Sequence, residues 1–499
     1  MKTRNISLAG ACALLLALAA CGGGGNGGGA QPASSASSAS SASSASSASS
    51  AGSAGSGSSA STGAASAPAL SLVAQIGQKA FVDQTLSGGK NMSCASCHSP
   101  QYAYGPPNSL SVQLGSDPTK AGTRAVPSLR YKDATPPYAD NATNPDGVTG
   151  AAAGGGFMWD GRAATLASQA MLPLLNPLEM NAASKADVVA AVQAGSYAAL
   201  FKQVYGADAF SNVDTAFANL GASIQAYETE DLSFHPYSSK YDLALHNKIG
   251  GNLTAAEIRG SQVFDGAGNC SACHFAGPNF NGNVGLMTDF TYQAIGAPRN
   301  DSSIPGNPDP VPANDADPTY FDMGLCGPLR TDHTPAQLGT PDPYCAKFKV
   351  PTLRNAATRS VFFHNGVFHS LNQVVHFYNT RDTNPEFWYP STGGSGTPVS
   401  TPSWALQLTV LPGATVNKFN DIPPGQQGNV DEEVPLGTGT TPPDNSLATT
   451  LGDGVLPRAP GSAPALTEQQ VADLICFLGT LSDGYQPPAT TPTSGPCVN

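Results

Sequence analysis

Two short motifs concentrate the reactive side chains of this 499-residue chain: Cys94-Ala-Ser-Cys97-His98 and Cys270-Ser-Ala-Cys273-His274. Each is a C-x-x-C-H, the attachment signature of c-type haem. Two thiols form thioethers to the porphyrin vinyl groups, and the adjacent His offers its imidazole to the iron. With the Cys and His content of this chain, about 0.003 such matches are expected by chance, so a pair is no accident. A thioredoxin-like redox pair would need a βαβ context, and a zinc site a different ligand spacing. The cofactors expected are two covalently bound haems c. Cys94, Cys97, Cys270 and Cys273 attach them, and His98 and His274 ligate their irons.

The other cysteines fall into place around these. Of ten in all, Cys12 lies in a leader and Cys21 closes the segment Leu18-Ala19-Ala20-Cys21, which resembles a bacterial lipobox. Residues 1–21 carry a basic start (Lys2, Arg4) and an apolar run from Leu8 to Ala20, the layout of a secretory signal. The run is too short to span a bilayer, so attachment to a membrane is expected only through acyl chains on Cys21. Residues 22–70, Gly-rich and then a Ser-Ser-Ala repeat, form the expected tether. Its first 46 residues hold no charge, no aromatic and nothing apolar larger than Ala, so they cannot offset ordering entropy. As flexible chain they reach roughly 35–40 Å. Cys326, Cys345, Cys476 and Cys497 remain, an even number in an oxidising compartment. Pairing nearest neighbours, Cys326 with Cys345 and Cys476 with Cys497, is the expectation among three possibilities. The predicted location is the periplasm, anchored to the outer membrane by lipid.

Charge narrows the partners. The formal net charge is −12, and loss of Lys2 and Arg4 leaves 21 basic against 35 acidic residues, near −14. Such a balance excludes a nucleic-acid binder and suits a soluble partner with a positive face. No run of 18 apolar residues occurs, which excludes an integral bundle.

The haem motifs need elements to hold them, and helices dominate the pattern. Before the first motif, Leu72, Ile76 and Ala80 recur at helical spacing and end at Phe81. Before the second, Thr254-Ala-Ala-Glu257 is a capping box opening a helix with Ile258 and Val263. Further helices are predicted at 165–172, 186–205, 213–228, 370–379 and 467–480, the last from a second capping box, Thr467 to Gln470. Alternating strands are few. Segments 276–345 and 380–462 are rich in Pro, Gly, Asn and Asp and read as long loops. The fold class expected is mainly α: two c-type cytochrome modules with long irregular loop insertions. The boundaries are 71–250 for the amino-terminal module, 251–485 for the carboxyl-terminal one and 486–499 for a tail.

From about residue 72 to 485 the chain resembles the bacterial dihaem cytochrome c peroxidase/MauG family. The resemblance rests on Ile76-Gly-Gln-Lys-Ala-Phe81 before the first haem motif, Phe157-Met-Trp159-Asp-Gly-Arg162 and Leu174-Leu-Asn-Pro177-Leu-Glu179-Met180. It continues in Val350-Pro-Thr-Leu-Arg354-Asn355, Phe363-His364-Asn-Gly366 and Phe477-Leu-Gly-Thr-Leu481-Ser-Asp-Gly484. It implies that the amino-terminal haem handles peroxide, that the carboxyl-terminal haem relays electrons, and that Trp159 lies between them. The family's active-site Gln and Glu fall ten and twenty residues beyond that Trp, on Gln169 and Glu179. A carboxylate there can move a proton from the inner to the outer peroxide oxygen, as base and then acid. Gln169 can orient peroxide or water by hydrogen bonding.

Three departures shape the expectation. Many dihaem peroxidases close the first iron with a His after the first haem motif, but no His occurs here between His98 and His235. The first iron is therefore expected to be five-coordinate or water-bound and ready for peroxide without prior reduction. Where the peroxidases place a distal Met for the second iron, fourteen residues beyond His364, this chain has Tyr378. No Met follows Met323. Tyr378 shares the apolar stripe of Leu371, Val374 and Val375, so it is the predicted ligand; a phenolate favours higher iron oxidation states, where Met raises the potential. The alternatives are His364, His369, His376, Met287 and Met323, with His369 and His376 read as surface residues. Finally, the family's calcium-binding Asn is Ala125 here, which makes calcium doubtful, although backbone carbonyls near Arg359 and Val361 could still contribute.

The predicted activity is reduction of hydrogen peroxide to water with electrons from a small periplasmic donor, a cytochrome c or a cupredoxin. The alternative is MauG-like oxidation of Tyr or Trp side chains on a partner protein. A third reading is a dihaem electron carrier with two six-coordinate irons. The family often forms homodimers, but no interface is legible in the sequence.

Overall fold

Ser71 starts the first helix by accepting the amide of Ala74 on its hydroxyl at 3.1 Å, and the helix runs Leu72–Phe81. In the computed structural model the described residues are 69–142, 152–275, 285–333, 342–432, 436, 458–488 and 494–498, within one compact unit spanning Ser66–Asn499. The expected leader, Cys21 and nearly all of the tether lie outside the described residues. So do residues 276–284, 334–341 and 437–457 of the two long loops.

Two tight helix pairs form, each containing the helix that precedes one C-x-x-C-H motif. Leu72–Phe81 packs on Val213–Glu230, and a Cβ on Gly77 would lie 1.9 Å from the carbonyl oxygen of Ser223. Ala255–Asp265 packs on Glu468–Gly479, and a Cβ on Gly260 would lie 1.9 Å from the carbonyl oxygen of Asp473. No side chain fits at either crossing, so glycine sets how closely the helices approach. Both predicted capping boxes form, Thr254 with Glu257 and Thr467 with Gln470.

Most of the expected stripe is buried, with Ile76, Ala80, Phe81 and Val263 facing in, but its first residue on each helix is not. Leu72 and Ile258 are exposed, while Ala74, Ile76, Gly77 and Ala80 face in on one helix and Ala256, Gly260, Val263 and Phe264 on the other. The glycine contact decides the rotation, and small residues on either side of it follow into the interface. The single helix predicted at 186–205 is two, Lys185–Ala194 and Ala198–Tyr205, because the chain turns out at Gly195.

Among the described residues strands are minor, as expected: three two-stranded antiparallel ribbons. One pairs Tyr292–Gln293 with Phe348–Lys349, Tyr292 opposite Lys349. The described part of segment 380–462 is packed rather than loose. Trp388, Tyr389, Leu406, Phe419 and Val430 bury against Phe368 and Phe377 on and beside the helix Leu371–Thr380, so this insertion shares one core with that helix and with Ala294 and Phe362. Both expected disulfides form, Cys326–Cys345 and Cys476–Cys497. The second holds the tail on the helix pair, where the Thr254 hydroxyl donates to the carbonyl of Cys497. Among the described residues no helix is long and apolar enough to cross a membrane.

Candidate active site

The first haem motif is one turn of helix, Cys94–Cys97, capped by Ser93 and Ser96. His98 follows it, and its Nδ1 lies 3.0 Å from the carbonyl oxygen of Tyr104. A carbonyl only accepts, so Nδ1 carries the hydrogen and Nε2 keeps its lone pair for a metal. The second motif repeats this, with Nδ1 of His274 at 3.0 Å from the carbonyl oxygen of Met287. Tyr104 and Met287 both sit at positive φ, 56° and 54°, which turns each carbonyl to its imidazole. Burial pushes both histidines down to about 4, so both imidazoles are neutral. The four motif cysteines form no disulfide.

Each motif opens into its own cavity. The one at His98 has a volume of about 170 Å³, and Cys94, Cys97, Arg162, Gln169 and Glu179 line it. The one at His274 has a volume of about 210 Å³, and Cys270, Cys273, His364 and Tyr378 line it. Trp159 lines both. Its indole N–H donates to the carbonyl of Ala125 at 2.8 Å, and its own carbonyl accepts the amide of Lys349 at 2.9 Å. In each cavity a thiol pair and a neutral imidazole meet in a mostly apolar enclosure. That donor set fits a haem.

Glu179 stands in a turn that closes the helix Leu166–Leu175. Its amide donates to the carbonyl of Asn176 at 3.0 Å, and its carbonyl accepts the amide of Ser116 at 2.7 Å. The backbone is thus pinned on both sides. Burial pushes the carboxyl above the ordinary carboxylate range, against the opposing pull of Arg162 and of a hydrogen bond with Asn176. Gln169 is buried on the same helix and its amide nitrogen reaches the sulfur of Met158 at 3.9 Å. Among the lining residues of this cavity His98 is the only histidine.

Of the five alternatives to Tyr378, only His364 lines the His274 cavity. Its ring stacks on Phe348 at 3.6 Å, its Nε2 has no hydrogen-bond partner, and the charges it feels are Asp322 and Arg124. Tyr378 instead lies near Cys273 and Cys270. His369 approaches Asp309 at 3.4 Å. His376 is a correction: it is buried, stacked on Trp404 at 3.9 Å, because the 380–462 insertion folds over its helix.

Sequence reasoning missed an ion network beside the first cavity. Arg124 bridges Asp160, at 2.8 Å, and Asp322, at 2.5 Å, and Arg162 holds Asp160 at 2.7 Å. Burial alone would raise Asp322, but Arg124 outweighs it and holds the carboxyl below its usual range. Asp160 and Arg162 stand next to Trp159 in the quoted motif, which was the available signal. Glu228 was missed with no signal. It lines the His98 cavity, one carboxyl oxygen lacks a partner, and burial pushes it up to about 8 against the pull of Lys132. Arg359 donates to the carbonyls of Val361 and Val126, at 3.2 and 2.8 Å.

Comparison with known proteins agrees with this geometry. Residues 72–249 match the family model described as di-haem cytochrome c peroxidase. Methylamine utilization protein MauG of Paracoccus denitrificans is 32% identical over 318 residues, 62% of this chain and 75% of that protein. Cytochrome c551 peroxidase of Nitrosomonas europaea is 26% identical over 327 residues, 63% of this chain and 75% of that protein. The crystal structure of the diheme peroxidase BthA from Burkholderia thailandensis superposes with a TM-score of 0.63 at 34% identity, covering 83% of this chain and 86% of that one. Two haem-type cavities joined by one tryptophan, in a mainly helical chain with these relatives, make this protein a member of the dihaem cytochrome c peroxidase family.

Proposed function

We propose that the chain is a periplasmic, lipid-anchored peroxidase whose haems are attached through Cys94/Cys97 and Cys270/Cys273, with peroxide handled in the His98 cavity. One observation carries the reading: Glu179 and Gln169 line the same enclosure as His98, with no second histidine in its lining. When bound there, the haem supplies the redox centre at which the O–O bond is broken. Glu179, as carboxylate, takes the proton of the inner peroxide oxygen and returns it to the outer one, which leaves as water. Gln169 holds the peroxide in register through its amide. Arg162 lies close enough to favour the ionised form of Glu179 against burial. Overall, one peroxide, two electrons and two protons give two waters.

The two modules, 71–250 and 251–485, divide the work. Trp159, lining both cavities, would pass charge between them, and Tyr378, lining the His274 cavity, would supply a second protein ligand to the haem held there. The carbonyls of Val126 and Val361 already accept from Arg359, which supports a site without calcium there. Electrons come from a small cytochrome c or cupredoxin. With a chain near −14, a basic donor is favoured, so turnover with such a donor is expected to fall as ionic strength rises. Steady-state peroxide consumption at several salt concentrations checks this; no turnover with any basic donor would contradict it. Tyr378 also favours a second reading, in which the electrons come from Tyr or Trp side chains of a partner protein, because a phenolate ligand stabilises more oxidised iron.

A further inference from the structure

Beside Arg354, which pairs with Asp242 at 2.7 Å, three further cations, Lys132, Lys349 and Arg359, line the His274 cavity. Among the described residues none of them forms an ion pair. Lys349 donates to the carbonyl of Gly156 at 2.5 Å, and Arg359 to the carbonyls of Val361 and Val126. Burial disfavours charge on all three, and they repel one another: Arg359 bears on Lys132, and Lys132 on Lys349. The nearest acids do not compensate. Asp160 draws on Lys349 but is already engaged by Arg124 and Arg162, and Glu228 draws on Lys132 but lines the other cavity, where burial pushes its carboxyl up to about 8. Three desolvated cations kept together, with no ion pair of their own and only these two acids acting on them from outside the cavity, imply a further anion that the polypeptide does not itself supply.

A haem carries two carboxylates. We infer that Lys132, Lys349 and Arg359 are the seat of the propionate groups of the haem attached at Cys270 and Cys273, resting on the placement of that haem proposed above. The seat also fixes orientation. Lys132 and Lys349 recur with Pro127 and Trp159 in a small adjoining cavity, so the propionate edge turns towards Trp159 and the first module. Lys132 and Arg359 also act on His98 across the same divide. Two carboxylates against three cations leave a net positive charge beside the second iron, which favours its reduced state.

The test uses the holoprotein. Lys349→Met is expected to keep two haems by pyridine haemochromogen assay, to lower the midpoint potential of the second haem, and to shift the propionate bending band in resonance Raman spectra. Lys349→Arg is expected to restore both. With two haems attached, unchanged potentials and propionate bands in Lys349→Met and Lys132→Met alike would overturn the assignment. Should Lys349→Met fail to assemble, redox-difference infrared spectra of the wild-type protein decide instead: ionised, ion-paired propionates support the seat, and protonated propionates overturn it. Fewer than two haems in the wild-type protein would be a failure of the haem placement itself, which the haem assay separates from the rest.

Discussion

Glu179→Gln is expected to lower peroxide turnover by about 10²–10⁴-fold while both haems stay attached and the resting spectrum is unchanged. Glutamine keeps the size and the hydrogen-bonding reach but cannot take a proton and give it back. The loss should therefore appear in the chemical step rather than in folding. The pH profile gives an independent check. Burial pushes the Glu179 carboxyl above the ordinary carboxylate range, and the ionised form is the one that accepts the first proton. The wild-type rate should thus fall as pH drops through that raised pKa, at a pH higher than for an exposed carboxylate. The Gln variant should lack this acidic limb. A variant that keeps full turnover would remove Glu179 from the mechanism, and Arg162 or Gln169 would then need testing as its replacement.

The second large effect belongs to Tyr378. Tyr378→Met should raise the midpoint potential of the second haem by a sizeable part of the roughly 0.8 V that axial ligands command. It should also replace any phenolate charge-transfer band with the spectrum of a His/Met iron. The sign follows from the ligand: a phenolate donates charge and favours the oxidised iron, whereas a thioether favours the reduced one. His364 is the competitor, since it alone of the other candidates lines the same cavity and has an unpartnered Nε2. His364→Gln is expected to leave the ligand spectrum as it was. If instead the His364 variant alters that spectrum and the Tyr378 variant does not, the assignment is reversed. The outcome bears on function, because a His/Met second haem suits donor oxidation and a His/Tyr one suits storage of a stronger oxidising equivalent.

What was legible in the sequence was local. The C-x-x-C-H motifs need five consecutive residues, and each capping box needs four, so nothing distant had to be known. Glu179 and Gln169 came from the family resemblance, by their offsets from Trp159; they share one helix and the turn that follows it, and both line the His98 cavity. Features made by distant segments were not legible. Lys132, Lys349 and Arg359 converge from across the chain, and each alone looks like an ordinary surface cation. His376 is buried by Trp404, 28 residues downstream in an insertion that its composition marked as loop. Few hydrophobic residues sufficed there, because Trp388, Tyr389 and Phe419 each bury a large area. Leu72 and Ile258 matched a helical stripe and yet face solvent, since helix rotation is set by glycines meeting the partner helix. Spacing shows that a face exists, and only the partner says which residues are at its centre.

The iron held at His98 is expected to be open to peroxide in the fully oxidised protein. Stopped-flow absorption of that protein mixed with one equivalent of hydrogen peroxide tests it most directly, with Glu179→Gln run alongside. A rapid spectral change is expected in the wild-type protein, without prior reduction, and should be lost or slowed in the variant. No change in the oxidised protein, with reactivity appearing only after half-reduction, would contradict it and would mean that another side chain closes the first iron.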